Sequence, residues 1–375
     1  MSSTMARSTF FYTDSRVLGG AENAMLMLLE ALDRDAWQPT LLLEDAAGVE
    51  PIRARAEAAD VPVQMIPPLP LGLSGARQVP ALRSLLRRAR PDVFHAHMSS
   101  PVAAKWGLTA AVLAGVRAVL GTVQVISDYV PDRSTRLQLR LLATQVDAYL
   151  AVSREIATGL VADYGWPAAK IEVVHNAVEA ERFGVAAPPG LRGELGAGDR
   201  PLVLTSARLS EQKGLPVLLE AAAEVSEAVF ALAGDGPERV RLEGLADRLG
   251  VAERVRFLGR RDDIPELLAA CDVFALPSLY EGTSLAVLEA MAARRAVVSS
   301  AIGGTEELID DGASGLLVPP GDAGALAAAL RGLLADPGLR ERLAASARAR
   351  VERDFTREGM AARVSAIYER LLGDD

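Results

Sequence analysis

Short apolar runs of strand length alternate with helical patterns along this chain, and the alternation stops once, at a glycine- and proline-rich break, before starting again. Ser8 to Tyr12 reads as a strand, Asp14 to Gly20 as a polar loop and Ala21 to Leu32 as a helix, the opening of a βαβ unit. Thr40 to Leu43, Val63 to Ile66, Asp92 to Ala96, Val119 to Val123 and Ala148 to Val152 follow as strands, with helices such as Glu50 to Ala59 and Val79 to Ala89 between them. Gly184 to Asp199, GVAAPPGLRGELGAGD, has no apolar period and reads as a break. Beyond it come the strands Leu202 to Ser206, Val229 to Ala233, Val255 to Leu258, Val273 to Leu276 and Ala296 to Ser299, with helices such as Leu215 to Val225. Such alternation predicts an α/β chain of two doubly wound parallel sheets. The expected domains are residues 1–185, a linker at 186–199, residues 200–355, and a terminal helix at 356–375 that begins near Thr356.

A length of 375 residues agrees with two cores. The single Cys271 rules out an internal disulfide and a thiolate metal cluster. Met1 to Phe11 has no apolar run of signal-peptide length, and the longest apolar stretch, Gly107 to Val125, is broken by Arg117, so the expectation is a cytoplasmic chain without a span. A net charge of −9 argues against nucleic acid as a partner. The charge is uneven: Arg77 to Arg140 holds ten Lys and Arg against three Asp. That stretch reads as solvated helix faces, as an attraction for an anionic acceptor, or as a peripheral contact with the anionic inner face of a membrane.

In open α/β sheets, ligands bind at loops beyond the carboxyl ends of strands. Pro277 to Ala292, PSLYEGTSLAVLEAMA, is such a loop running into a helix. Gly282 turns the chain, Ser284 suits an N-cap, and the first N–H groups of the helix, at Ser284 and Leu285, favour a diphosphate. Glu281 lies in the loop and Glu289 about one and a half turns into the helix, so the two carboxylates reach opposite ends of one extended ligand. A nucleotide sugar has that shape, with Glu281 on the sugar and Glu289 on the ribose. Gly19 and Gly20 lack the Cβ that would keep a backbone from a phosphate. Arg208 and Lys213, after the strand Leu202 to Ser206, can neutralise a departing diphosphate.

These segments resemble a known family. PSLYEGTSLAVLEAMA is similar to the EX7E segment of retaining glycosyltransferases of the GT-B fold, family 4 (glycosyl transferases group 1). GGAE at Gly19 to Glu22, ARLSEQKG at Ala207 to Gly214, AGDGPE at Ala233 to Glu238 and IGGTEELIDDGASGLLVPPGD at Ile302 to Asp322 match further family segments in order. The resemblance implies two Rossmann-like domains facing across a cleft, acceptor domain first and donor domain second, with the C-terminal helix packing back on the first. It implies a metal-independent, retaining transfer of sugar from a nucleotide diphosphate sugar, without a cofactor. Arg208, Lys213 and Glu281 would be catalytic, and Gly19, Gly20, Gly282, Thr283, Ser284, Leu285 and Glu289 would bind the donor, with the base against Leu258, Gly259 and Arg260. His97, Gln124, Asn176 and Glu307 would line the acceptor and sugar region.

The chain departs from the family pattern at three places. Glu306 stands where the loop of Gly303, Gly304 and Glu307 usually has proline, so a less fixed turn is expected. Thr283 replaces a common aromatic. Gln124 stands where a histidine is common, and glutamine can bond a hydroxyl but cannot act as a general base. In the family the leaving phosphate itself helps to take the acceptor proton, so Gln124 is compatible with transfer. Nucleotide-sugar 2-epimerases share the architecture and are one alternative; a silent nucleotide-sugar binding protein is the other. His95 and His97 lie on one side of a strand, but no third ligand completes a zinc set. Asp33 and Asp35 have the letters of a DxD metal motif at the wrong end of a βαβ unit, and His175 beside Asn176 is a weak hinge signal. The residues name neither the donor's base and sugar nor the acceptor, for which glycolipid, polysaccharide and small metabolite all stay open.

Overall fold

The computed structural model describes residues 6–70, 72–126 and 132–373. Five positions of the amino-terminal reading and Asp128 of the basic stretch lie outside the described residues.

The chain forms two compact units, residues 1–177 with 357–375, and residues 178–356. The first unit holds a seven-stranded parallel sheet in the order β3-β2-β1-β4-β5-β6-β7, built from β1 (Arg7–Thr13), β2 (Trp37–Glu44), β3 (Val63–Ile66), β4 (Val93–Met98), β5 (Ala118–Val123), β6 (Ala148–Ala151) and β7 (Ile171–Val173). The order reverses between β1 and β4, the switch point where ligands of doubly wound sheets bind. Buried strands read as apolar runs because helices cover both faces: every residue of β4 and of β5 is buried. The sequence expectation started β2 at Thr40, after Pro39. The strand in fact begins at Trp37, because β3 pairs only from Leu41 onward, so Pro39 faces β3 at no position where its missing N–H is needed.

The last helix, Arg357–Leu372, belongs to this unit. Its Tyr368 hydroxyl lies 2.5 Å from His95 Nδ1, and its ring meets Trp37 edge-on at 5.1 Å. The expected return of the C-terminal helix to the first domain is therefore seen.

The second unit holds a six-stranded parallel sheet in the order β10-β9-β8-β11-β12-β13, from β8 (Leu202–Ser206), β9 (Val229–Ala233), β10 (Val255–Gly259), β11 (Val273–Leu276), β12 (Ala296–Ser300) and β13 (Leu316–Val318). Alternate residues feed two cores. Leu202, Leu204, Phe274 and Leu276 face one helix layer, and Val203, Val273 and Ala275 the other.

The expected linker at 186–199 is corrected. That segment carries a short helix, Leu191–Glu194, and buries Leu191, Leu195 and Ala197 in the core of the second unit, while Arg192 donates to the Ala270 carbonyl and pairs with Asp272 at 3.1 Å. Its glycines and prolines hid three spaced apolar residues that join this core. The units divide instead at residues 177/178 and 356/357.

Candidate functional site

Four loops at the carboxyl ends of β8, β9, β11 and β12 pack backbone on backbone because glycines stand at the contacts. A Cβ at Gly214, where φ is +59°, would come within 2.0 Å of the Pro277 carbonyl oxygen. At Gly234 and Gly236 it would meet the carbonyl oxygens of Ala207 and Leu209 at 1.9 and 2.3 Å, and at Gly304 that of Gly282 at 1.7 Å. No side chain fits at these distances. The β8 loop thus lies between the β9 and β11 loops, and the β12 loop rests on the β11 loop. Hydrogen bonds hold the same contacts: Leu209 N–H donates to the Asp235 carbonyl (3.0 Å), Leu279 N–H to the Gln212 carbonyl (2.8 Å), and Gln212 Nε2 to the Tyr280 carbonyl (3.0 Å).

Lys213 and Glu281 meet inside this frame. Nζ lies 2.5 Å from Glu281 Oε1, which also accepts from Ser278 Oγ at 2.7 Å. The carboxylate is 7% exposed, so its charge is held by a cation and a hydroxyl rather than by water. The ammonium has three donors, of which the pair uses one. Sequence reasoning placed Lys213 on the phosphate and Glu281 on the sugar as separate contacts, whereas here they form one ion pair. Ser278 and Gln212 were missed. A polar residue three positions before Glu281 was the available signal for the first, and nothing in the local pattern marked the second.

The helix Leu285–Ala292 starts beside this pair. Ser284 occupies its N-cap, as expected, but the hydroxyl makes no capping bond. The first-turn N–H groups therefore lack the usual side-chain acceptor, and the positive end of the helix dipole can take an anion. Glu289 is half-buried on the same helix, and burial pushes its carboxyl up to about 7 against the opposing pull of Arg182. Arg208 is exposed after β8 and carries no ion pair among the described residues. Leu258 and Gly259 end β10 and Arg260 follows it; Gly259 has a φ of +68° and its carbonyl accepts from Gly234 N–H at 2.7 Å. Strand β10 is three places from β11, roughly 14 Å at the usual strand spacing.

Glu307 ends the turn Gly303–Glu306, and its carbonyl accepts from Arg350 Nη2 at 3.1 Å. The turn was expected to be loose without proline. Instead the Thr305 hydroxyl bonds back to the Ser300 carbonyl and takes the Ile302 N–H at 3.3 Å, which fixes it.

The remaining predicted residues lie in the first unit. Gly19 caps the helix Gly20–Ala31, and its N–H donates to the buried Glu22 carboxylate at 2.9 Å. The phosphate approach expected at Gly19 and Gly20 thus meets a carboxylate already in place. Gln124 and Asn176 exchange amide bonds of 2.7 and 3.3 Å, both buried. His97 packs against the rings of His95 (4.7 Å) and Phe11 (5.9 Å), and neither of its ring nitrogens has a hydrogen-bond partner among the described residues. Burial lowers its pKa to about 3, which keeps it neutral. His95 is engaged on both nitrogens, by Tyr368 and by Thr122 Oγ1 at 2.7 Å. Among the described residues no three His, Cys, Asp or Glu side chains form a metal-ligand set. Asp33 and Asp35 are exposed in a turn where the Asp35 N–H donates to Asp33 Oδ1 at 2.9 Å.

Residues 18–182 match the model of Glycosyltransferase Family 4, and residues 191–350 that of glycosyl transferases group 1. The chain is 31% identical over 329 residues to the D-inositol 3-phosphate glycosyltransferase of Salinispora tropica, an alignment spanning 74% of this chain and 68% of that one. The chain belongs to the group 1 glycosyltransferases. Another relative, the alpha-D-kanosaminyltransferase of Streptomyces kanamyceticus, is 38% identical over 136 residues, 35% of each chain. Across four curated relatives, this one among them, the match spans 35% to 55% of their length. Among solved structures, HepE of Anabaena in complex with UDP-glucose superposes with a TM-score of 0.84 at 26% identity, covering 96% of this chain and 98% of that one. The two parallel Rossmann-like sheets are those of the GT-B glycosyltransferases.

Proposed function

We propose that the protein transfers a glycosyl group from a nucleotide diphosphate sugar to an acceptor hydroxyl, with retention of anomeric configuration and without a metal. The observation that carries this reading is the Lys213–Glu281 pair, held by four interlocked loops at an uncapped helix start. The HepE complex with UDP-glucose supports a nucleotide-sugar donor.

The diphosphate lies at the first turn of the Leu285–Ala292 helix, where Lys213 and Arg208 supply positive charge. Glu281, held by Lys213 and Ser278, accepts from hydroxyls of the transferred sugar. Glu289 accepts from the ribose, and the base extends toward Leu258, Gly259 and Arg260. The bond from C1 to the phosphate oxygen breaks, and the nucleoside diphosphate leaves with the electron pair. The acceptor oxygen bonds C1 from the same face, and its proton passes to the departing phosphate oxygen. No side-chain base is needed, which suits a chain with glutamine at position 124. Positioning and charge stabilisation carry the rate.

Product analysis tests this. Purified protein is incubated with a nucleotide sugar that binds it and a pool of alcohol acceptors, and the products are read by mass and by the anomeric proton coupling. A new glycoside with the donor's anomeric configuration is expected. An inverted glycoside overturns retention, and an epimerised donor overturns transfer.

A further inference from the structure

We infer that the outer surface of three neighbouring helices in the first unit docks the protein on an anionic phospholipid bilayer. The inference concerns that unit alone and stands whether or not the donor reading of the second unit holds.

Helix Lys105–Ala114 packs between helices Val79–Ala89 and Arg133–Gln145. Their inner faces, with Leu82, Leu86, Leu108, Leu139 and Ala143, fill one core. Their sequences, VPALRSLLRRA, KWGLTAAVLA and RSTRLQLRLLATQ, contain no Asp or Glu, in a chain that has 49 of them and a net charge of −9. The outward positions hold Arg83, Arg87 and Arg88 on one helix and Arg133, Arg136 and Arg140 on another, all exposed. Asp132, at the start of the helix Arg133–Gln145, is occupied as the N-cap, accepting from the Thr135 N–H and hydroxyl at 2.9 and 2.8 Å.

Charge alone would suit any polyanion. The leucines narrow the choice. Leu113, Leu137 and Leu141 are 54%, 58% and 59% exposed, and they are three of the four exposed leucines among the described residues. Arg133, Leu137, Arg140 and Leu141 form one stripe at helical spacing. Arg83 donates to the Leu113 carbonyl at 2.9 Å, which ties the second basic helix to the third leucine. A nucleic acid or a soluble acidic polysaccharide would use the guanidinium groups and leave the leucines in water. A bilayer uses both, with phosphates against arginine and the acyl boundary against leucine.

The test is sedimentation with vesicles, in the absence of any donor. The full chain is mixed with vesicles of phosphatidylglycerol and phosphatidylcholine, or of phosphatidylcholine alone. Binding to the anionic vesicles only is expected. Replacing Arg87, Arg133 and Arg140 by glutamine should weaken it about 100-fold, from roughly a factor of five per arginine. The pair Leu137→Ser and Leu141→Ser should weaken it at least about tenfold while leaving the charge unchanged. Failure of the wild type to sediment with anionic vesicles overturns the inference. Wild-type binding by the leucine pair also overturns it, because the surface is then a general polyanion site.

Discussion

At the scale of single residues, the two carboxylates of the second unit are set apart by their neighbours. Glu281 has an ammonium and a hydroxyl on one oxygen; Glu289 is crowded by protein and pushed up to about 7. A ribose hydroxyl donating to Glu289 favours the ionised form, so nucleotide-sugar binding should strengthen as pH rises through about 7 and level off above it. Calorimetric titration with a nucleotide sugar, whose phosphodiesters do not titrate in this range, checks the prediction; in Glu289→Gln the pH dependence should vanish. Stability takes the opposite sign: the protonated, half-buried acid favours the folded state at and below the ordinary carboxylate range, and that contribution is lost as pH rises through about 7. The placement of Glu281 and Lys213 in loops and of Glu289 on a helix was legible in the sequence because such positions follow from a strand end and a turn glycine. Their partners were not. The Lys213–Glu281 contact spans 68 positions and depends on Gly214 lying against Pro277, a long-range approach that local pattern cannot encode.

At the scale of elements, the apolar runs located the central strands and the edge strands β3 and β10, and missed the two shortest edge strands. β7 and β13 were not anticipated, since each is an edge strand of three residues with too few positions to form a pattern. The stretch at 186–199 was misjudged because composition outweighed the spacing of Leu191, Leu195 and Ala197. The C-terminal helix was anticipated, and its anchoring gives a prediction. Tyr368, fully buried, bonds His95 and abuts Trp37. Tyr368→Phe keeps the ring contact and leaves a buried imidazole nitrogen unpaired, which should cost about 1–3 kcal/mol in a denaturant melt. The same substitution should leave nucleotide affinity unchanged, because Tyr368 and the donor loops belong to different units.

At the scale of the whole molecule, two parallel sheets divide the work. The second unit gathers cations, an uncapped helix start and two unlike carboxylates at the carboxyl edge of one sheet, the set proposed above to hold a nucleotide diphosphate sugar. The first unit offers neutral buried groups, His97, Gln124 and Asn176, and a basic, leucine-bearing helix layer. Among the described residues no helix is long and apolar enough to cross a membrane, so the membrane contact inferred above is one of surface docking. The family and the fold were legible because strand-end motifs recur in a fixed order, while the acceptor was not, because no chain-local motif marks it.

The most direct measurement is a thermal-shift comparison of wild type and Lys213→Ala against UDP, GDP, ADP and their sugar conjugates. A matching nucleotide at a hundred times its dissociation constant should stabilise the wild type by about 2.7 kcal/mol, a rise of roughly 5 to 10 °C in melting temperature. Lys213→Ala should melt lower on its own and lose most of that rise. If no nucleotide shifts the wild type at millimolar concentration, or if Lys213→Ala responds as fully as the wild type, the loops at the carboxyl edge of the second sheet are not the donor site.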